Sequence, residues 1–344
     1  MERLGFLSFG HWGPVRGSRA PTARDALRQT VELAVAAEEL GLDGAYVRVH
    51  HFARQLASPF PLLAAIGART SRIEIGTAVI DMRYENPLYM AEDAAAADLI
   101  AGGRLQLGIS RGSPELALRG SEAFGYVPRE GQTDADMARE HARVFRHAIN
   151  GAGVVRSDPA MTGTSAALHI QPQSPGLGDR IWWGAGTRQT ARWVGEQGMN
   201  LQSSTLLTED TGVPFGELQA EQIEVFRRAW ADAGHEREPR VSVSRSVIPI
   251  TTDEDRMYFG GRDESQDQVG YLEGVLARFG RSYNGEPDKI AEELARDPAV
   301  QAADTVLLTV PNQLGVSYNA RLLETIAEHV APAIGWERPT TSSA

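Results

Sequence analysis

Short apolar runs alternate along this chain with longer stretches in which apolar residues recur at helical spacing. That is the pattern of strand–helix units feeding a parallel sheet. The first run covers residues 3–9. After it, Leu27, Val31, Leu33, Ala34, Ala37 and Leu40 recur near helical spacing, predicting a helix over 22–40 that Gly41 ends. Further strands are expected at 43–51, 73–80 and 104–110, with helices near 61–70 and over 87–100 between them. The second half repeats the alternation: strands at 180–184, 199–203, 241–250 and 304–310, and helices opening near Thr187, over 215–234 and over 319–333.

Two connections break the even spacing. About seventy residues separate the fourth strand from the fifth. A helix over 133–150 fills part of this, and 151–178, rich in Gly, Ser, Thr and Pro, reads as an excursion with a short hairpin. The other long connection is 251–303, after the seventh strand. Eight strand–helix units with no linker-like break predict an α/β fold: a closed (β/α)8 TIM barrel with insertions after strands 4 and 7. Residues 1–334 form one domain in this reading and 335–344 a C-terminal tail. An open, doubly wound sheet in two domains is the alternative.

Composition narrows the function classes. Asp and Glu number 45 against 34 Lys and Arg, a net charge of −11 with no long basic run, which argues against nucleic acid as a partner. The chain has no cysteine, which removes disulfides, thiolate metal sites and a Cys nucleophile and fits a cytoplasmic protein. The first residues lack the pattern of a signal peptide. No window approaches the ~20 apolar residues of a membrane span, so no membrane partner is expected.

In such barrels chemistry collects at the C-terminal ends of the strands, which singles out five places. Val49-His50-His51-Phe52 ends the second strand, and alternation lets only one of the two histidines share the face of Tyr46 and Arg48. A His there suits acid–base work, and equally a structural bond to a loop. Adjacent histidines point apart and no HExxH occurs, so no metal is expected. Gly76-Thr77-Ala78-Val79 ends the third strand, where small residues would admit a flat ligand or simply pack. Gly108-Ile109-Ser110-Arg111-Gly112 matches the nucleophile elbow G-x-S-x-G. A hydrolase would then need a later acid and His, and His329, the only His after His235, falls in a predicted helix. Arg111 alternatively offers a fixed cation for a phosphate, or a surface salt bridge. Gly184-Ala185-Gly186-Thr187-Arg188-Gln189-Thr190 opens a helix whose N-terminus favours an anion. It lacks the third Gly and the later acid of a dinucleotide fingerprint, so it reads as a phosphomonoester cradle or a plain Thr cap. The fifth place, Phe9-Gly10-His11-Trp12, lines a pocket or packs.

Taken in order, these motifs resemble the bacterial luciferase family, the luciferase-like monooxygenases, over about residues 4–332. The resemblance is carried by Gly41-Leu-Asp-Gly-Ala-Tyr-Val-Arg-Val-His-His-Phe52, Ile75-Gly-Thr-Ala-Val-Ile80 and Asn86-Pro87 with an Ala-rich helix, then by Gly103-Arg-Leu-Gln-Leu-Gly-Ile-Ser-Arg-Gly112 and Ile181-Trp-Trp-Gly-Ala-Gly-Thr187. It retires the hydrolase reading of Ser110. It implies an FMN-dependent oxidoreductase, a flavoprotein monooxygenase that oxidises a small apolar substrate with reduced FMN and oxygen, the reduced FMN coming from a separate NAD(P)H:flavin reductase. The cofactor residues it implies are Thr77, Ala78 and Val79 near the ring, Arg111, Gly186 and Thr187 at the phosphate with Thr190 as a further donor, and Ser110 and Gly184. Ala78–Val79 matches a non-proline cis peptide of the family, and His50 matches its acid/base.

The chain departs from the family at Val49, where many relatives carry an acid, at Ser110, where luciferase carries Cys, and at Arg48, an unusual charge for a barrel strand. The segment 258–265 lies where luciferases carry a mobile loop and is expected to be a hinged lid or a surface loop. The helix 90–101, with Ala94 to Ala97 in a row, resembles the family's dimer-forming region, so a homodimer is expected. Two alternatives stay open: a deazaflavin-dependent hydride-transfer oxidoreductase on the same barrel, and a non-catalytic flavin-binding protein.

Overall fold

The computed structural model describes residues 1–112, 117–209, 211–261, 266–272 and 275–339. Eight parallel strands close into a barrel: β1 Arg3–Ser8, β2 Gly44–Val47, β3 Glu74–Asp81, β4 Leu105–Ser110, β5 Ile181–Ala185, β6 Asn200–Ser203, β7 Val241–Pro249 and β8 Thr305–Val310. Each pairs with the next, β6 with β7 through Leu201 opposite Val241, and β8 returns to β1 from Arg3 opposite Thr305 to Ser8 opposite Val310. A helix follows each strand: α1 Ala23–Glu39, α2 Pro59–Arg69, α3 Pro87–Ile100, α4 Asp134–Ile149, α5 Arg188–Glu196, α6 Phe215–Asp232, α7 Pro287–Ala295 and α8 Val316–His329. The starts of these helices are written locally. Thr22 with Asp25, and Thr133 with Asp136, form capping boxes, and Asn86 caps α3 just ahead of Pro87.

Glycines on neighbouring strands shape the bottom of the barrel. A Cβ on Gly44 or Gly76 would come within 2.6 or 2.7 Å of the Tyr46 ring, so these two glycines make room for Tyr46 inside. Beside it the Trp182 indole donates to Gln106 at 2.8 Å, and Arg240 holds Glu74 through two bonds of 2.9 Å. These groups fill the N-terminal end, so open space is left at the C-terminal mouth. Because side chains alternate along a strand, the next inward position above Tyr46 is Arg48, at that mouth.

Three expectations shift. β2 stops at Val47, short of the expected 51, so strand alternation does not govern the two histidines. The chain turns there: the Arg48 N–H still reaches the Ser8 carbonyl, but the His50 N–H reaches that of Leu56, and Phe52 adopts a φ of 57°. The tail expected from residue 335 starts later. Trp336 is fully buried and its indole donates to Asp43 at 2.7 Å, tying the chain end to the start of β2. In α3, Ala94, Ala95 and Ala97 are buried where the helix packs against α2 and α4 within this chain. The small residues therefore serve intrachain packing, and the outer face of α3 presents Tyr89, Leu99 and Ile100.

The first insertion contains the expected hairpin, Gly153–Arg156 against Ala167–His169. The second is more ordered than a loop. It holds a short helix Asp253–Phe259, an antiparallel pair Gln268–Leu272 and Val275–Phe279, and a strand Ser282–Gly285 parallel to the upper half of β7. Of the expected lid, residues 262–265 lie outside the described residues. No described helix is long and apolar enough to cross a membrane.

Candidate active site

A cavity of about 470 Å³ opens at the C-terminal mouth, within the usual range for small-molecule sites. The ends of β2 to β6 build most of its wall. Of the residues expected from the sequence, His50, Ala78, Val79, Ser110, Arg111, Gly184, Gly186, Thr187 and Thr190 all border it. Thr77 does not. It sits one position out of phase with the inward-facing Gly76 and Ala78, fully buried, with its hydroxyl donating to the Gly108 carbonyl at 2.7 Å. Its own carbonyl accepts from Gln202, which does line the cavity. The Ala78–Val79 peptide is cis, and the β3–β4 ladder is irregular between Thr77 and Ile80, where these two residues meet the cavity.

The floor at β4 is held by Ser110 and Gly112. The Gly112 N–H donates to the Ser110 hydroxyl at 2.7 Å, and φ of 87° at Gly112 bends the chain so that a Cβ there would lie 1.9 Å from the Asp81 carboxylate. Asp81 is buried and is gripped by Arg83 at 2.6 to 3.1 Å. Arg111 follows Ser110 into the cavity. Opposite it, Thr187 caps α5, its hydroxyl accepting the Thr190 N–H at 3.1 Å and donating to the Thr190 hydroxyl at 3.0 Å.

The cradle read from the sequence is only partly open. The first N–H of the helix, that of Arg188, already donates to the Glu209 carboxylate at 2.9 Å. A phosphate at this end would rely on the Thr187 and Thr190 hydroxyls, the next N–H and nearby cations.

Two groups escaped sequence reading. Arg139 reaches the cavity from α4, its guanidinium 4.8 Å from the Trp193 ring centre. It sits in an ordinary amphipathic helix, and no motif marks it. Ser203 at the end of β6, with Ser204, Thr205 and Thr208 just after it, adds a wall rich in hydroxyls. Their signal was visible as a polar run at a strand's C-terminal end.

Charge and burial set the chemistry of the β1–β2 side. The Arg48 guanidinium lies 4.8 Å from the Phe9 ring centre, and Phe9 stacks on His11 at 5.8 Å with the rings nearly parallel. Burial, then the Arg48 charge, then His51 and His11, hold His50 down to about 4. Burial and Arg48 lower His11 as well. His51 turns away and stacks on Tyr84 at 4.3 Å beside Phe124, a packing role, and burial lowers it too. At neutral pH His50 is thus an uncharged imidazole, able to accept or share a proton. Among the described lining residues, Arg48, Arg111 and Arg139 face a single carboxylate, Asp81, already held by Arg83. A chain of net charge −11 has concentrated positive charge in this one cavity. No cluster of three metal-ligating side chains occurs among the described residues.

A cis-joined Ala78–Val79 pair on β3, the β4 arginine and a Thr-capped helix after β5 are gathered at one barrel mouth. The sequence model of the luciferase-like monooxygenases matches residues 1–258, and the chain belongs to that family. An F420-dependent glucose-6-phosphate dehydrogenase of Kribbella flavida is 30% identical over 53% of this chain and 54% of its own. The chain thus spans about half the length of the curated relatives it matches. Two solved structures share the fold nearly end to end. A monooxygenase from Streptomyces bottropensis has a TM-score of 0.72 at 20% identity, covering 96% of this chain and 99% of that one. The oxygenating constituent of 3,6-diketocamphane monooxygenase from Pseudomonas putida, in complex with FMN, has a TM-score of 0.68 at 19% identity, covering 98% and 100%. The family supports an oxidoreductase.

Proposed function

We propose that this chain is an FMN-dependent monooxygenase that takes reduced FMN and oxygen and oxidises a small organic substrate. One observation carries the reading: a net-positive cavity holds Arg111, the Thr187–Thr190 pair and the Ala78–Val79 segment together with His50. The residues fit the group. A phosphomonoester dianion matches Arg111, Arg139 and the two threonine hydroxyls. A flat ring system finds no bulky side chain at Ala78 and Gly184; a Cβ added at Gly184 would crowd Val79 at 3.1 Å, so the glycine keeps that wall clear. Bound there, FMN would supply the two-electron chemistry and the reaction with oxygen.

The chain's own part is to bind, orient, exclude water and handle protons. Arg111 and the α5 start anchor the phosphate. The Phe9–Arg48 pair and Leu307 wall the side nearest His50. His50, neutral at pH 7, accepts a proton from substrate or relays one at its ring nitrogen. A homodimer and a separate reductase supplying reduced FMN belong to the same proposal.

The likeness to an F420-dependent dehydrogenase supports a second reading, hydride transfer with a deazaflavin. Titration with oxidised FMN, reduced FMN and a deazaflavin separates the two. Reduced FMN is expected to bind, with Arg111→Ala weakening it ~10–100-fold, the loss of a charge-assisted pair. Binding of the deazaflavin alone would replace the first reading with the second. Unchanged FMN affinity in Arg111→Ala would remove the phosphate assignment.

A further inference from the structure

A second cavity of about 410 Å³ lies beside the first, over β7, β8 and β1, and Phe9 borders both. Its floor follows from strand parity. On β7, Ser242 and Ser244 face the first cavity, and the next positions of the same phase, Ser246 and Ile248, face the second. On β8, Leu307 and Thr309 divide in the same way. The strand Ser282–Gly285 sets Ser282 opposite Ser246 and Asn284 opposite Ile248. Tyr283, of opposite phase, points away and donates to Asp297 at 2.6 Å. Asn284 is therefore turned to the cavity. It is 7% exposed; its side-chain oxygen is buried away from the cavity without a hydrogen-bond partner among the described residues, and its amide N–H group is the part a ligand can reach. An accessible amide N–H on so enclosed a wall favours a ligand that accepts a hydrogen bond there.

The walls are aromatic and fixed. Tyr258 and Phe259 come from the short helix Asp253–Phe259. That helix is pinned by Asp255, which accepts from the Thr251 and Thr252 N–H groups at 3.1 and 2.8 Å and from the Tyr318 hydroxyl at 2.9 Å. Opposite stand Phe9 and the His11 ring stacked on it. No Asp, Glu, Lys or Arg occurs among the described lining residues, in contrast to the arginine-rich cavity next door.

We propose that this second cavity binds the neutral, planar part of the substrate, and that the Asn284 side-chain N–H donates a hydrogen bond to a hydroxyl or carbonyl oxygen on it. The inference rests on the oxidoreductase reading for its use and deepens it. The substrate reaches past Phe9 to His50, and its class is an uncharged aromatic or conjugated molecule with a hydrogen-bond acceptor oxygen at the end remote from the reacting atoms. Asn284 here determines specificity and takes no part in the chemistry.

The test uses two probes on the full chain by calorimetry: 2-naphthol, which carries the acceptor oxygen, and 2-methylnaphthalene, which does not. 2-Naphthol is expected to bind ~3–10-fold more tightly, the net worth of one hydrogen bond. Asn284→Leu should erase that preference and leave FMN affinity unchanged. Because a buried substitution can upset folding, Ile248→Trp is the second variant: it should fill the cavity and abolish binding of both probes, again with FMN affinity intact. Equal binding of the two probes to the wild type, a preference that survives Asn284→Leu, or probe binding that survives Ile248→Trp would overturn the proposal. FMN titration of the same samples reports on the oxidoreductase reading separately, so failure of one is distinguishable from failure of the other.

Discussion

The sharpest test of the site is the proton affinity of His50. Its ring falls from an ordinary value of 6.5 to about 4, first through burial and then through Arg48. Taken at face value, that difference is roughly 3 kcal/mol against protonation in the folded state. The ring is half open to the cavity, so solvent screening reduces it to roughly 1–2 kcal/mol. The sign follows from proton counting. Above pH 6.5 His50 is neutral whether folded or unfolded and contributes nothing. Between 6.5 and about 4 the unfolded chain takes up a proton that the folded chain refuses, so stability drops as pH falls through this window. Two measurements read it. In a proton NMR titration assigned with His50→Gln, the His50 resonance should move well below pH 6, and in Arg48→Gln it should move at higher pH. In urea unfolding, the wild type should lose roughly 1 kcal/mol more than His50→Gln between pH 7.5 and 5. A His50 that titrates at 6.5 or above in the wild type would refute the assignment of a neutral base, and one indifferent to Arg48→Gln would remove Arg48 from the causes of the shift.

Two further substitutions probe the frame and the phosphate end. Arg245 and Asp297 form a buried pair at 2.8 and 3.0 Å, to which Tyr283 adds its hydroxyl; Asp297→Ala strands the arginine and should cost about 3–5 kcal/mol in denaturant unfolding, whereas a loss under 1 kcal/mol would mean the pair relaxes into solvent. Glu209 occupies the first N–H of α5, where it repels a phosphate; Glu209→Gln should tighten FMN about two- to fivefold in the titration, and weaker binding would show that Glu209 orders the site instead.

Much of this was legible in the sequence, for identifiable reasons. The barrel strands and most of their partner helices carry their own periodicity and caps, so Thr133 with Asp136, or Pro87 after Asn86, marks a helix start without tertiary help. The site residues at strand ends were legible because a barrel sends them to one mouth. What failed was phase and reach. Thr77 was misread because four small residues in a row give no hint of which ones face inward; the hint lay in Gly76, which must face Tyr46 to make room for it. The end of β2 at Val47 depends on the loop bond from His50 to Leu56, a tertiary fact. Arg139 was hidden because a helix position near a mouth looks like any solvated arginine. Asn284 lies on a strand inside an insertion that the apolar pattern did not resolve.

The two histidine-side observations, a depressed imidazole and an arginine stacked on Phe9, belong to one electrostatic design. Arg48 disfavours a proton on His50 while the cavity holds water, and it helps attract an anion to the same mouth. If the proposed phosphate-bearing cofactor occupies the cavity that Arg48 and Arg111 both line, its negative charge would offset part of the Arg48 field, and the proton affinity of His50 would rise. On the proposed reading the imidazole would become a better proton donor with the cofactor in place, which would suit a reaction that takes up and returns a proton within one cycle. Repeated on the FMN complex, the His50 titration should shift upward. If it stays where it was, the cofactor's charge does not reach the imidazole, and proton handling must be sought elsewhere along the cavity wall.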